Sequence, residues 1–120
     1  MAITKEFSDL TGITVEDLTS GSYDEKFILP RGIYIRLRVY GHGESCRSVA
    51  KELNMSYWRA RYAMVAADED ISTGYEDAIY LWRMVEHLTL EYLYRKAYEL
   101  SGAEEYSNIT DSKMRRLMDL

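Results

Sequence analysis

Cysteine and long apolar runs are scarce in this chain, and each scarcity excludes a class of protein. The single cysteine, Cys46, cannot form an internal disulfide, which predicts a reduced, cytoplasmic protein. No segment reaches the roughly 18 apolar residues that span a bilayer, and the N-terminus lacks the pattern of a signal peptide. With 120 residues, the chain is expected to form a single domain, residues 1–120, with no membrane partner.

Residues suited to catalysis or metal binding are also few. His42, His87 and Cys46 do not complete a zinc site by their spacing. A lone cysteine at a helix start is more often packed than nucleophilic. The three acids at residues 68–70 lack the spacing of a calcium loop. We therefore expect no enzyme activity, no metal and no cofactor.

The net charge of −5 would usually argue against a nucleic-acid partner, but the charges are unevenly distributed. Residues 1–30 carry −4 and residues 68–120 carry −6, whereas residues 31–67 carry +5. A duplex-binding surface needs such a cationic region even in an acidic protein. The competing interpretation is that these cations only solvate one face and pair with the flanking acids.

Residues 44–67 have the pattern of two amphipathic helices, 45–53 and 57–67, joined by a tight turn. Asn54 can leave the first helix in a left-handed conformation, and the Ser56 hydroxyl is suited to cap the second. This predicts a helix-turn-helix, whose second helix enters the DNA major groove. The apolar positions that share one face of each helix are Val49, Ala50 and Leu53 in the first, and Ala60, Ala63, Met64 and Ala67 in the second.

Two groups of residues are the candidate DNA contacts. Arg59 and Arg61 can each pair with a guanine through two hydrogen bonds, whereas Trp58 either covers a thymine methyl or anchors the core. Phosphate contacts would position the protein without specifying sequence. The candidates for the major groove are Ser56, Tyr57, Trp58, Arg59 and Arg61, and those for phosphates are Arg31, Arg36, Ser45, Arg47 and Lys51.

Residues 27–40, FILPRGIYIRLRVY, are ambiguous between strand and helix. The alternation of Ile33, Ile35, Leu37 and Val39 with polar or aromatic residues is typical of a strand. However, Pro30 suits the first turn of a helix, and a lone strand would have no partner elsewhere in the sequence. Periodicity alone favours the strand.

The first 25 residues read as short helices and a loop. Ile3, Phe7 and Leu10 share one side of a helix over residues 3–10, which Gly12 ends. Thr14 with Asp17 resembles a capping box that opens a single turn at residues 15–18. A polar loop follows over residues 19–25.

Three features within residues 7–67 resemble the C-terminal DNA-binding domain of the bacterial replication initiator DnaA. They are the segment TGITVEDLTS, the segment ILPRGIYIRL, and the positions Ser45, Val49, Ala50 and Leu53. The resemblance implies that residues 28–41 form a helix, that a helix-turn-helix follows, and that Arg31 contacts a phosphate. It covers about half of the chain.

The chain also departs from that family. The signature at the start of the recognition helix, Asp-His-Ser/Thr-Thr-Val, would fall on residues 56–60, where none of the residues matches. The basic loop of the family would fall on residues 21–26, where this chain has Tyr23, Asp24 and Glu25. The sequence contains no P-loop. The operator of the family is therefore not carried over.

Residues 75–120 are interpreted as a helical extension. A single long helix is predicted over residues 75–100, with an apolar stripe wider than one small neighbour requires. The stripe is either wrapped by the rest of the domain or serves in part as the seam of a homodimer. A short helix over residues 113–120, capped by Asp111, is predicted to end the chain.

The sequence as a whole predicts an all-α protein, a small helical bundle that contains a helix-turn-helix and is followed by a long C-terminal helix. The expected function is binding of double-stranded DNA as a replication or transcription accessory factor, of a size that suits a phage or mobile-element protein. The alternative is a protein-interaction module that binds or inhibits a protein partner through its acidic, tyrosine-rich helical surface.

Overall fold

The computed structural model describes residues 2–101 as helices joined by short turns, and no strand occurs within that range. The all-α prediction is therefore confirmed. Residues up to Thr89 form one compact unit, and a second unit begins at Leu90. The helices are α1 (Ala2–Thr11), α2 (Val15–Thr19), α3 (Ile28–Arg36), α4 (Cys46–Glu52), α5 (Tyr57–Ser72), α6 (Glu76–Val85) and α7 (Leu90–Leu100).

Helix α3 is the centre of the first unit. It packs against α4, α5 and α6, and its last turn continues as a π-helical segment over Leu37–Gly41. Ile33, Tyr34, Ile35 and Leu37 are all buried, although they point in different directions around the helix axis. The helix expected over residues 28–41 is confirmed, and the strand that the alternation favours is wrong. A helix enclosed on several sides buries residues that a one-sided helix would expose.

The most extensive helix contact in the first unit is between α3 and α5. Gly32 lies directly against the backbone of α5, where a Cβ atom at residue 32 would collide with the carbonyl oxygen of Ala63 and lie 3.0 Å from the Cβ of Ala67. Ala60, Ala63 and Ala67 on α5 are buried, as predicted. Small side chains on both helices therefore permit an approach that larger ones would prevent.

Helices α4 and α5 form as predicted and pack against each other. Val49 and Ala50 of α4 are buried, and the turn at residues 53–56 contains Asn54 in the left-handed region, at φ 56°. Because α5 continues to Ser72, beyond the predicted end at residue 67, the acids at residues 68–70 lie within this helix.

The predicted entry helices are also present. Phe7 of α1 is fully buried and meets the ring of Tyr34 edge to face at 5.0 Å. The Thr14 hydroxyl accepts a hydrogen bond of 3.1 Å from the backbone N–H of Asp17 and so caps α2. A single 3-10 turn at Glu25–Phe27, which the sequence did not indicate, leads into α3.

A polar network at the buried side chain of Arg38 connects three helices. The guanidinium donates to both carboxylate oxygens of Glu44, at 2.6 Å for the Nη2–Oε1 pair, and to Glu52 at 2.9 Å. It also donates to the Tyr34 hydroxyl, which lies 2.8 Å from the Thr4 hydroxyl on α1. Two carboxylates and a phenol oxygen therefore compensate a charge that would otherwise be costly to bury.

The predicted single helix over residues 75–100 is wrong: α6 ends at Val85, a 3-10 turn follows at Glu86–Leu88, and α7 starts at Leu90. The turn is held against the end of α3, because His42 Nε2 donates to the Leu88 carbonyl at 2.6 Å and Gly41 packs against Thr89. Ala78 and Val85 are buried, so this part of the apolar stripe is covered within its own unit.

Helix α7 belongs to the second unit and contains no buried residue. A salt bridge of 3.1 Å joins Arg95 and Glu91 on its surface. The predicted cap at Asp111 and the helix at 113–120 lie outside the described residues. None of the helices within residues 2–101 combines the length and the apolar character needed to cross a membrane.

We expect the substitution Gly32→Ala to destabilise the protein by about 1–3 kcal/mol, because α3 and α5 must separate to admit a methyl group. The gain in helix propensity from glycine to alanine, about 1 kcal/mol, opposes this loss in part. Urea denaturation followed by far-UV circular dichroism measures the difference. The control Ser48→Ala, on the exposed side of α4, should change the free energy of unfolding by less than about 0.5 kcal/mol.

The Arg38 network also predicts acid sensitivity. The guanidinium of Arg38 holds the pKa of the Glu44 carboxyl below its ordinary value. A depressed pKa stabilises the folded state above the ordinary pKa of about 4, and this contribution is lost as the pH falls below that value. Glu44→Gln should therefore destabilise the protein at pH 7 and cost progressively less between pH 5 and pH 3. Glu69→Gln, at an exposed carboxylate on α5, is the control; an equal loss at both ends of the range would contradict the prediction.

Candidate nucleic-acid interface

The start of α5 is fixed by its cap. The Ser56 hydroxyl accepts a hydrogen bond of 3.2 Å from the backbone N–H of Arg59, so the helix begins at Tyr57 as the sequence indicates. Ser45 caps α4 in the same way, by accepting from the N–H of Ser48 at 3.1 Å. Both serines remain exposed at the helix ends.

Trp58 projects into solvent with 75% of its surface exposed, so it does not anchor the core. Its ring meets that of Tyr57 edge to face at 5.1 Å. On the other side of Tyr57, the guanidinium of Arg47 lies 4.5 Å from the ring centroid. The first turn of α5 and the first turn of α4 therefore share one surface.

Three cations on this surface are available to a ligand: Arg47, Lys51 and Arg61 are exposed, and within residues 2–101 none of them forms an ion pair. Arg61 lies close enough to Cys46 to influence its ionisation. Burial raises the pKa of the Cys46 thiol, and the positive charge of Arg61 opposes this shift only in part. The thiol therefore remains protonated at neutral pH.

Arg59 is placed differently from Arg61. Its guanidinium donates to the backbone carbonyls of Gly21 and Ser22, each at 3.3 Å, and stacks on the ring of Tyr23 at 3.8 Å. The side chain therefore fastens the α2–α3 loop to the start of α5. Two of its five N–H donors are engaged by these carbonyls, and Tyr23 covers one face of the guanidinium, so Arg59 is less available to a base than the sequence predicts.

Arg31 does not occupy the position expected of a phosphate contact, because its side chain is buried with only 1% exposed. It donates to the carbonyls of Leu18 at 3.2 Å and Asp17 at 2.8 Å, and also to that of Ser22. Burial, with the nearby charge of Arg59, lowers the pKa of Arg31. The residue holds α2 and its loop onto α3.

Arg36 is likewise engaged within the protein. Its Nε lies 2.6 Å from a carboxylate oxygen of Asp68 on α5, and its guanidinium lies 4.2 Å from the Trp82 ring centroid on α6. Since Arg31, Arg36 and Arg38 all serve internal contacts, much of the charge of +5 over residues 31–67 does not reach the surface. Arg36 pairs with the flanking acid Asp68, as the competing interpretation expects, whereas Arg38 pairs with Glu44 and Glu52 inside the cationic segment itself. Arg47, Lys51 and Arg61 are exposed to solvent.

The structure also brings together an aromatic groove that the sequence analysis missed. Its volume is about 250 Å³, and it runs beside α5 with Tyr23 and Tyr62 exposed at 78% and 72%. Tyr62 follows Trp58 by four residues, a spacing that could have revealed the pair. Nothing in the sequence placed Tyr23 here. The residues that line the groove are Tyr23, Ile28, Arg31, Met55, Trp58, Arg59, Tyr62 and Ala63.

No family model, curated protein or solved structure matches the chain. The interface combines three exposed cations with an exposed tryptophan and an exposed tyrosine on two capped helices. Such a surface is suited to an anionic ligand that also offers apolar groups.

We expect Arg59→Ala to loosen the α2–α3 loop without unfolding the protein. Loss of the donors to Gly21 and Ser22 should speed amide hydrogen exchange at residues 20–24 by about tenfold, while exchange in α3 is unchanged. Arg61→Ala is the matched control, because this arginine lies only two residues away and makes no bond to the loop. Equal exchange rates in the two variants would show that Arg59 does not hold the loop.

Proposed function

We propose that this protein binds double-stranded DNA through the surface formed by the first turns of α4 and α5. The observation that carries the proposal is that Trp58 and Arg61 are exposed at the start of α5, with the exposed cations Arg47 and Lys51 on the neighbouring α4. Two capped helices joined by a short turn form the element that places a second helix in the major groove. The resemblance of residues 7–67 to the DNA-binding domain of DnaA supports the same arrangement.

The side chains have different roles in this proposal. Arg61 pairs with a base edge, because a guanidinium matches the two acceptors of guanine in the major groove. Arg47 and Lys51 neutralise phosphates, and the exposed hydroxyls of Ser45 and Ser56 donate to the backbone of the duplex. Arg31 and Arg59 do not contact the DNA in this proposal. They position the interface by holding the α2–α3 loop against α3 and the start of α5.

The cellular role that we propose is that of an accessory factor in replication or transcription, encoded by a phage or mobile element. In this proposal the named residues either bind DNA or position the residues that do, and we propose no enzymatic step. The acidic remainder of the protein limits non-specific retention, because it repels the phosphates outside the interface.

One observation favours the alternative of a protein-interaction module. Leu90, Leu93 and Tyr94 on α7 are exposed at 51%, 48% and 55%, so this helix offers an apolar, tyrosine-rich surface. A module of that kind would use α7 and would not need Arg61. Binding to duplex DNA that depends on Arg61 therefore distinguishes the two functions.

The salt dependence of binding tests the proposal. With two to three phosphates neutralised, the logarithm of the association constant should fall with the logarithm of salt concentration at a slope of about −2 to −3. Lys51→Ala should make this slope shallower by about 0.9. Fluorescence anisotropy with a labelled pool of random duplexes provides the measurement.

Lys5→Ala is the matched control for this titration, because Lys5 is an exposed lysine on α1, outside the interface. Its slope should equal that of the unaltered protein. If the unaltered protein showed no binding to the duplex pool at low salt, the proposed function would be wrong.

A further inference from the structure

The solvent-facing side of α5 carries two aromatic rings in a row. Trp58 and Tyr62 are four residues apart, so they lie one above the other on the helix, and 75% and 72% of their surfaces are exposed. Arg61 is exposed beside them. The chain therefore places two large flat apolar surfaces and one free guanidinium on the part of α5 nearest to its N-terminus.

We propose that α5 selects DNA by the C5-methyl groups of thymines that lie next to a guanine. This inference rests on the proposed function and specifies its substrate. In the major groove the methyl group distinguishes thymine from the other three bases. Trp58 and Tyr62 cover the methyl groups, and Arg61 pairs with the O6 and N7 acceptors of the guanine.

The side chains that would read other bases are absent from the N-cap and first turns of α5, residues 56–63. Adenine is usually read by asparagine or glutamine, and cytosine by a carboxylate. The chain contains no glutamine, and the Asn54 amide already donates to the Thr19 carbonyl at 2.7 Å. The carboxylates of α5, at residues 68–70, lie three turns beyond Trp58, on the order of 15 Å along the axis.

Charge complementarity indicates which ligand covers the aromatic pair. Arg47 and Lys51 on α4 and Arg61 on α5 are exposed, and the carboxylates of α5 are confined to its C-terminal part. A polyanion with apolar groups matches this pattern better than a protein surface does. Thymine-containing duplex DNA supplies both features within one groove.

The test replaces thymine by deoxyuridine, which differs only in lacking the methyl group. A duplex is first selected from a random pool with the unaltered protein, and each of its thymines is then substituted in turn. We expect affinity to fall by about three- to tenfold for each thymine that contacts Trp58 or Tyr62. Trp58→Ala and Tyr62→Ala should bind the thymine and deoxyuridine duplexes equally at the corresponding position.

Tyr80→Ala is the control variant, because Tyr80 is a comparably exposed tyrosine on α6, at 67%, outside the interface. It should discriminate between the two duplexes as the unaltered protein does. Equal affinity of the unaltered protein for both duplexes would overturn the methyl inference and leave DNA binding intact. Discrimination that persists in both alanine variants would also overturn it, whereas a selection that retains no duplex would overturn the proposed function itself.

Discussion

The contact between α3 and α5 at Gly32 determines the rest of the first unit. Because residue 32 has no side chain, the backbone of α3 lies directly on α5, next to Ala63 and Ala67. Ala63 and Ala67 face this contact, and Trp58 and Tyr62 lie on the exposed side of the same helix. The position of the candidate interface is therefore a consequence of close packing on the opposite side of the same helix.

Buried arginines reinforce this arrangement. Arg38 joins α1, α3 and α4 through Tyr34, Glu44 and Glu52, and Arg31 attaches α2 and the following loop. An arginine suits such positions because its planar guanidinium can donate several hydrogen bonds in fixed directions. The cost of burying these charges is offset only by complete sets of partners, which ties the helices to one relative placement.

The use of arginines inside the protein changes how its charge should be interpreted. The sequence predicts one cationic surface from residues 31–67, but the structure divides the cations of this segment into buried and exposed side chains. Arg47, Lys51 and Arg61 remain outside, and Arg59 lies between the two groups. For the proposed binding of DNA, a small set of exposed cations together with exposed aromatic rings favours recognition by apolar contact over attraction by charge alone.

The sequence by itself determined the features that depend on neighbours in the chain. The caps at Ser45 and Ser56, the left-handed Asn54 and the apolar faces of α4 and α5 all arise from residues within one or two turns. Only the tertiary structure decided that α3 is enclosed, that the helix predicted over residues 75–100 breaks at residues 86–89, and that Tyr23 joins the groove. It also decided which arginines are exposed and which are buried. The residues next to an arginine in the sequence do not show whether its side chain will contact a buried carbonyl or solvent.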